Sequence, residues 1–375
     1  MARHPTLFCT EDAVRKARRR LPRLAYDFIA GATGREIGKR LNREAIDAIR
    51  LQPRSLRPTT PRSLATDFLG TTWHRPFGIA PMGLCNLVHP RADQLLLDAA
   101  AEHNMPLCTS TAASTSLERT AEHASARPWF QLYVTGTTDD ALALVDRAAA
   151  AGYETLVLTV DVPQASRRIR DQRNGLVLPF RWGLRQCVDI ATHPRWAWSM
   201  WRAGAPRPAN FDATAPFDRQ ASRGACDAGF LDTLRQKWAG RLIVKGIMHP
   251  DDAVAVRDAG ADAVWVSNHG ARQLDAAVPA IEALPAIRQA VGEHCPIVFD
   301  SGLRNGEDIV KALASGADFC MLGRAWLFAL GAGGGDALNR LVTLLSEDVD
   351  VVMAQLSVRT IDEIGPNVLA SHATD

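Results

Sequence analysis

The stretch Ser267-Asn268-His269-Gly270-Ala271-Arg272-Gln273-Leu274-Asp275 sets an imidazole three positions before a guanidinium, directly after the apolar run Ala263-Val264-Trp265-Val266. An imidazole can take a proton near neutral pH, and a guanidinium fork matches a planar anion such as a carboxylate. The apolar run reads as a buried strand. Ser-Asn-His-Gly then marks where the chain leaves its sheet, with Gly270 permitting a turn that a Cβ would resist. An isolated His and Arg in a loop are more often a solvated surface pair, so the rest of the chain must decide.

Other reactive or anion-binding side chains also follow apolar runs. They are Pro81-Met82-Gly83, Ser110, Gln131 and Tyr133, Thr159 and Asp161, Lys245, Asp300-Ser301-Gly302-Leu303-Arg304 and Gly323-Arg324. Together they supply a base, a carboxylate to orient it, a cation and several arginines. Gly302 and Gly323 allow the backbone to approach a phosphate while Arg304 and Arg324 add charge, which suits a phosphorylated ligand, either substrate or cofactor. A lysine ending a buried strand is costly unless an anion or electron-rich group meets it, which gives Lys245 a role beyond snorkelling to solvent.

These positions converge only if the runs form one sheet. Eight runs can be counted, at 77–80, 107–110, 129–134, 155–160, 242–245, 263–266, 296–300 and 319–322, most of them followed by a turn and an Ala/Leu-rich helical stretch. Continuous apolar runs alternating with helices predict an α/β fold, a (β/α)8 TIM barrel, whose active site lies at the carboxyl ends of the strands. A doubly wound open sheet is the alternative. The expected organisation is a single domain over 1–375, with an N-terminal helical segment at 1–70, the barrel at 71–350, an inserted loop or lid at 171–241 after strand four and a C-terminal helical segment at 351–375.

The insertion holds five of the nine Trp (182, 196, 198, 201 and 238), with Arg181, Arg185, Arg195, Arg202 and Arg207 among the first four. Trp with Arg suits a peripheral membrane contact through 176–210, whereas a lid or an oligomer contact is the plainer reading. With 43 Lys+Arg against 41 Asp+Glu the formal net charge is +2, which gives no pointer to nucleic acid. Seven scattered Cys with no C-x-x-C suggest neither a disulfide framework nor a metal site. No apolar stretch approaches the roughly 20 residues of a membrane span, and the amino terminus lacks the apolar core of a secretory signal. A cytoplasmic protein, peripheral at most to the inner face of the membrane, is expected.

The motifs Leu21-Pro22-Arg23-Leu24-Ala25-Tyr26-Asp27, Phe130-Gln131-Leu132-Tyr133, Leu158-Thr159-Val160-Asp161, Val244-Lys245-Gly246, Ser267 to Asp275 and Gly323-Arg324 span nearly the whole chain. In them the sequence resembles the FMN-dependent L-2-hydroxy-acid oxidases and dehydrogenases, among them glycolate oxidase, flavin-type lactate dehydrogenase and mandelate dehydrogenase. The resemblance implies FMN at the carboxyl end of the barrel and oxidation of a 2-hydroxy acid to the 2-oxo acid. It implies His269 as base, Asp161 stabilising the imidazolium, Arg168 and Arg272 clamping the carboxylate, and Tyr133 on the hydroxyl. Lys245 would stand beside the flavin N1 and C2 carbonyl. Ser110, Gln131, Thr159 and Ser267 would hydrogen-bond the ring, the backbone of Ala80, Pro81 and Met82 would lie against it, and Arg304 and Arg324, with Asp300, Gly302 and Gly323, would form the rest of the FMN site. A homotetramer is implied as well, with oxygen, a quinone or a protein as electron acceptor.

Three positions depart from the family pattern. Phe28 stands where a second Tyr normally meets the substrate carboxylate, Ser301 where many members have Gly, and Arg91 where an acidic residue usually follows the Pro. Gly83 and Ala112, placed by the resemblance beside the substrate's side chain, leave room. Together with Ser110-Thr111-Ala112 and His193-Pro194-Arg195-Trp196, they are most similar to mandelate dehydrogenase and imply a bulky or aromatic substrate. Alternatives are another type of FMN barrel, a biosynthetic oxidase of an unusual or peptide-derived hydroxy acid, and a non-catalytic FMN-binding barrel.

Overall fold

The computed structural model describes residues 7–123, 127–176, 183–211 and 223–370. Eight parallel strands alternate with helices: β1 (Phe77–Ile79), β2 (Cys108–Ser110), β3 (Trp129–Leu132), β4 (Thr155–Thr159), β5 (Arg241–Ile247), β6 (Ala263–Val266), β7 (Ile297–Phe299) and β8 (Phe319–Leu322). Each pairs in parallel with its neighbour in sequence, β8 pairs with β1, and a parallel bridge between Ile79 and Leu107 joins β1 to the start of β2. The chain therefore forms a (β/α)8 barrel, and every expected run supplies a strand.

Both faces of the strands are covered, which is why the runs are continuously apolar. Cys108, Val157, Ile243, Ala263, Trp265, Val298, Phe319 and Met321 fill the barrel interior, while Leu156, Leu158, Val244, Val264, Val266 and Phe299 belong to the larger cluster under the helices. A hairpin, Thr66–Phe68 with Thr71–Trp73, was not foreseen. Its Phe68 packs on Phe319 with ring centroids 5.1 Å apart and on Trp129 at 6.2 Å, adding Phe68 and Trp73 to the interior core.

The N-terminal helix Thr10–Arg20 packs against Arg324–Leu356, Arg23–Ala30 follows it, and Ile37–Ala48 packs against Ala280–Val291 and Gly306–Ala314. Asp275 fixes them by accepting from Arg35 N at 2.8 Å and Gly38 N at 3.1 Å, and Asn42 and Asn268 exchange side-chain hydrogen bonds of 2.9 and 2.7 Å. The last residue of the Ser267–Asp275 motif is thus a clasp for the N-terminal segment. After β8 one helix, Arg324–Leu356, is kinked at Gly333 and Gly334 and runs past residue 350; beyond it, among the described residues, short 3-10 turns follow where a helical segment over 351–375 was expected.

The insertion is also redistributed. Helix Ala228–Lys237 precedes β5 as a barrel helix, with Leu234 and Trp238 buried, so the extra chain ends near residue 227. Of the insertion tryptophans, Trp196 and Trp238 are core, their indoles donating to the carbonyls of Leu87 (3.1 Å) and Arg241 (3.0 Å), whereas Trp198 and Trp201 are exposed. Arg181 and Trp182 lie outside the described residues.

Candidate active site

A cavity of about 220 Å³ opens at the carboxyl ends of the strands. Phe28, Ala80, Pro81, Met82, Gly83, Ser110, Ala112, Tyr133, Arg168, Lys245, His269, Arg272, Asp300, Gly302, Arg304, Gly323 and Arg324 all line it. Gln131, Thr159, Asp161 and Ser267 stand behind that lining. Gln131 accepts from Ser110 Oγ at 3.0 Å, Asp161 backs His269, and Ser267 meets Lys245.

The loop after β6 carries His269 in a backbone conformation that side chains avoid. His269, Gly270 and Ala271 have φ of 57°, 60° and 59°, so two residues bearing a Cβ share the left-handed turn with the glycine. Such residues cost on the order of 1–3 kcal/mol each and persist where surrounding bonds over-determine them. Here Ser267 Oγ accepts from His269 N at 3.0 Å, Ser301 Oγ from Gly270 N at 3.0 Å, and Asn268 Oδ1 from Ala271 N at 3.2 Å. Ser301 itself has φ 89°, which explains why glycine suits that position, and its hydroxyl also donates to Asp300 Oδ1 at 2.7 Å. The serine therefore ties the β7 loop to the histidine loop.

His269 Nδ1 lies 3.0 Å from Asp161 Oδ1, so the carboxylate holds the proton on Nδ1 and leaves the Nε2 lone pair toward Tyr133, whose hydroxyl is 3.5 Å away. Burial pushes the imidazole below 6.5; Asp161 opposes this, and the Lys245 and Arg168 charges add to the lowering. A neutral, oriented imidazole is the form a general base needs. Burial, then the Asp161 charge, raises the Tyr133 phenol well above its usual range, so it stays a hydrogen-bond donor. Gly246, at φ 105°, makes this approach possible: a Cβ there would sit 2.6 Å from the Asp161 Cβ.

On the cavity floor Lys245 Nζ reaches Ser267 Oγ at 2.6 Å and Asp300 Oδ2 at 2.9 Å, both nearly buried. Burial favours the protonated carboxyl of Asp300, yet the Lys245 charge and hydrogen bonds from Ser267, Lys245 and Ser301 outweigh it and hold the group below its ordinary value. Gln131 Nε2 and Thr159 Oγ1 are buried beside this network without a hydrogen-bond partner. Unmade bonds of buried polar groups cost about 1–3 kcal/mol each, so these atoms call for a ligand with polar edges.

Arg304 and Arg324 form the cationic end. Among the described residues no carboxylate pairs with either. Burial, followed by the neighbouring Arg43 charge, pushes Arg304 down to about 10, and burial with the Arg304 and Arg168 charges pushes Arg324 down to about 9. Two buried like charges suit a dianionic phosphate. Gly302, at φ 117°, and the capping box of Asn305 with Asp308 open the helix Gly306–Ala314 beside them. Arg324 is also structural, donating from Nε to Ile29 O and from Nη2 to Gly31 O and Gly270 O. The polar floor, the cations and the glycine loop fit FMN.

Arg272 Nη1 donates to Phe28 O at 3.0 Å and Gly31 O at 2.9 Å, and its guanidinium carbon lies 5.6 Å from the Phe28 ring centroid. Phe28 thus offers the arginine a π face where a hydroxyl was expected by family pattern. Sequence reasoning missed Arg223, which reaches the cavity wall from the end of the insertion, buried, with its guanidinium carbon 5.3 Å from the Tyr133 ring centroid. No strand end announces it. Gly83 and Ala112 face one another; a Cβ on Gly83 would be 3.0 Å from that of Ala112, so small side chains at both positions shape this wall.

A barrel with an imidazole–carboxylate pair above a polar floor and a cationic end has the parts of a flavin-dependent oxidoreductase. The chain belongs to the FMN-dependent dehydrogenase family, whose model matches residues 17–371. It is 37% identical over 371 residues to (S)-mandelate dehydrogenase of Pseudomonas putida, covering 97% of this chain and 94% of that protein. To L-lactate dehydrogenase of Caulobacter sp. (strain K31) it is 36% identical, covering 96% and 98%. Among solved structures it is similar to the monotopic membrane protein (S)-mandelate dehydrogenase, with TM-score 0.93, 36% identity and coverage of 97% and 99%. It is also similar to mandelate oxidase with benzoyl-formic acid, with TM-score 0.84, 34% identity and coverage of 97% and 98%.

Proposed function

We propose that this FMN-dependent dehydrogenase oxidises an L-2-hydroxy acid to the 2-oxo acid, with a bulky or aromatic side chain preferred. The observation that carries the reading is the Asp161–His269 pair, its free imidazole nitrogen turned toward Tyr133, in a cavity shared with Arg168 and Arg272. Two guanidinium groups hold the substrate carboxylate, Tyr133 donates to the hydroxyl oxygen, and His269 Nε2 takes a proton from the hydroxyl or the α-carbon. Asp161 stabilises the imidazolium so formed. FMN, when bound, would accept the two electrons and the substrate's remaining hydrogen.

Lys245 would stand by the flavin N1 and C2 carbonyl. Ser110, Gln131, Thr159 and Ser267 would meet polar ring atoms, Ala80 to Met82 would support the ring, and Arg304 and Arg324 with Asp300, Gly302 and Gly323 would complete the cofactor site. Mandelate is the substrate named for several relatives, and Gly83 and Ala112, both on the cavity wall, project little into it, which supports a bulky substrate side chain here. Steady-state rates are expected to rank mandelate above glycolate; the reverse order contradicts the size argument.

Arg272→Lys should raise KM about tenfold or more while changing kcat less, since a point charge cannot reproduce a planar fork and Lys cannot serve both Phe28 O and Gly31 O as well as substrate. An unchanged KM removes Arg272 from the clamp.

The helices Leu184–Ala191 and Pro194–Ala203 are the expected contact with an anionic membrane surface. Leu184, Val188, Trp198 and Trp201 are exposed, the two indoles stack at 5.1 Å, and Arg185, Arg195 and Arg202 are exposed beside them. No helix among the described residues is long and apolar enough to cross a membrane. The protein should sediment with anionic vesicles and lose this on Trp198→Ala/Trp201→Ala; a parent protein that stays in the supernatant favours a lid or oligomer contact.

A further inference from the structure

The barrel interior is ordinarily filled by branched aliphatic side chains. Here β6 places an indole there: Trp265 is fully buried and packs in the interior cluster with Ile243, Val298 and Phe319. A buried indole N–H must find an acceptor. Trp265 Nε1 donates to Asp300 Oδ2 at 3.1 Å, the same oxygen that lies 2.9 Å from Lys245 Nζ. The Trp265 ring centroid is 5.0 Å from that ammonium. Asp300 Oδ1 takes the Ser267 and Ser301 hydroxyls at 2.6 and 2.7 Å, so the carboxylate is saturated from every side.

This arrangement divides one negative charge. Asp300 draws the Lys245 ammonium down and cancels part of its field in the cavity; the indole N–H satisfies part of the same carboxylate oxygen and so offsets that cancellation. We propose that Trp265 is a positioning residue that, acting through Asp300 and Lys245, sets the electron affinity of the bound FMN. Reduction adds negative charge to the flavin, and an ammonium less committed to Asp300 stabilises it better. Without the indole donor, Asp300 Oδ2 has Lys245 as its remaining partner, the ion pair tightens, and the charge available to the flavin falls. Neither the barrel fold nor the proton chemistry at His269 requires an indole at this position. The inference rests on FMN occupying this cavity with Lys245 beside its ring.

The test uses the holoprotein and reads the two-electron midpoint potential of the bound flavin against a reference dye, without substrate. Replacing Trp265 by 3-benzothienylalanine exchanges only the N–H for sulfur and keeps the ring; Trp265→Phe removes the donor in a second way. Both should lower the potential by about 30 mV, a tenfold change in the two-electron equilibrium constant and the size expected for one hydrogen bond to a charged group. 5-Fluorotryptophan, which keeps the N–H, should restore the parental value. A benzothienyl variant with FMN bound at the parental potential overturns the proposal, as does one that loses FMN, because the N–H is then needed to build the cofactor site and not to set the flavin's potential. A parent protein that binds no FMN overturns the cofactor reading and this inference with it.

Discussion

His269→Ala should purify with FMN bound and yet leave the flavin unreduced by substrate, its reduction rate falling by about 10⁴, the upper end of what a positioned general base contributes. The upper end is expected because the imidazole is not merely present. It is held neutral by burial, aimed by Asp161 at 3.0 Å, and fixed on a left-handed turn whose amides bond Ser267, Ser301 and Asn268. The cationic end of the cavity, where Arg304 and Arg324 lie, is untouched by the change. Rapid mixing of the variant with substrate, monitored at the flavin absorbance, checks it. A parental reduction rate would remove His269 from the chemistry.

The same residue fixes a pH dependence. Burial lowers its pKa below 6.5 in the folded protein, so the unfolded chain binds more protons between that depressed value and 6.5. The contribution of neutral His269 to stability is complete above 6.5 and is lost as pH falls toward the folded value. The rate of flavin reduction at low substrate should likewise rise with pH through the depressed value and be level above it.

Arg304→Met should weaken FMN binding about 10- to 100-fold, the range for one charge-assisted contact to a phosphate, and leave riboflavin binding unchanged. Arg304 is the better probe of the pair because Arg324 also holds the carbonyls of Ile29, Gly31 and Gly270, so its loss would disturb the segment that carries Phe28. Burial and the Arg43 charge make the Arg304 cation costly without an anion. Titration of apoprotein with FMN and with riboflavin separates the phosphate from the ring. Equal losses for both ligands would place Arg304 away from the phosphate.

The strands were legible because helices cover one face and the barrel core the other, so each strand is a short apolar run. Residues that follow such runs, His269, Lys245, Asp300 and Arg324 among them, could be placed in one cavity from that pattern alone. Groups that reach the site by other routes could not. Arg223 arrives from the insertion, and Gly246 matters only because β5 passes Asp161 at close range. The anchoring of Arg272 and Arg324 by N-terminal carbonyls joins positions more than two hundred residues apart, and no local pattern encodes it. The insertion's tryptophans read alike in sequence, although packing separates Trp196 and Trp238 from Trp198 and Trp201.

The central claim is that this cavity oxidises a 2-hydroxy acid with its flavin. Anaerobic titration of the purified holoprotein with L-mandelate, L-lactate, glycolate and longer L-2-hydroxy acids, followed by flavin absorbance, tests it most directly. Bleaching by these acids, strongest with mandelate, is the predicted result, and re-oxidation on admitting air would then identify oxygen as an acceptor. A yellow protein that none of them bleaches would contradict the account.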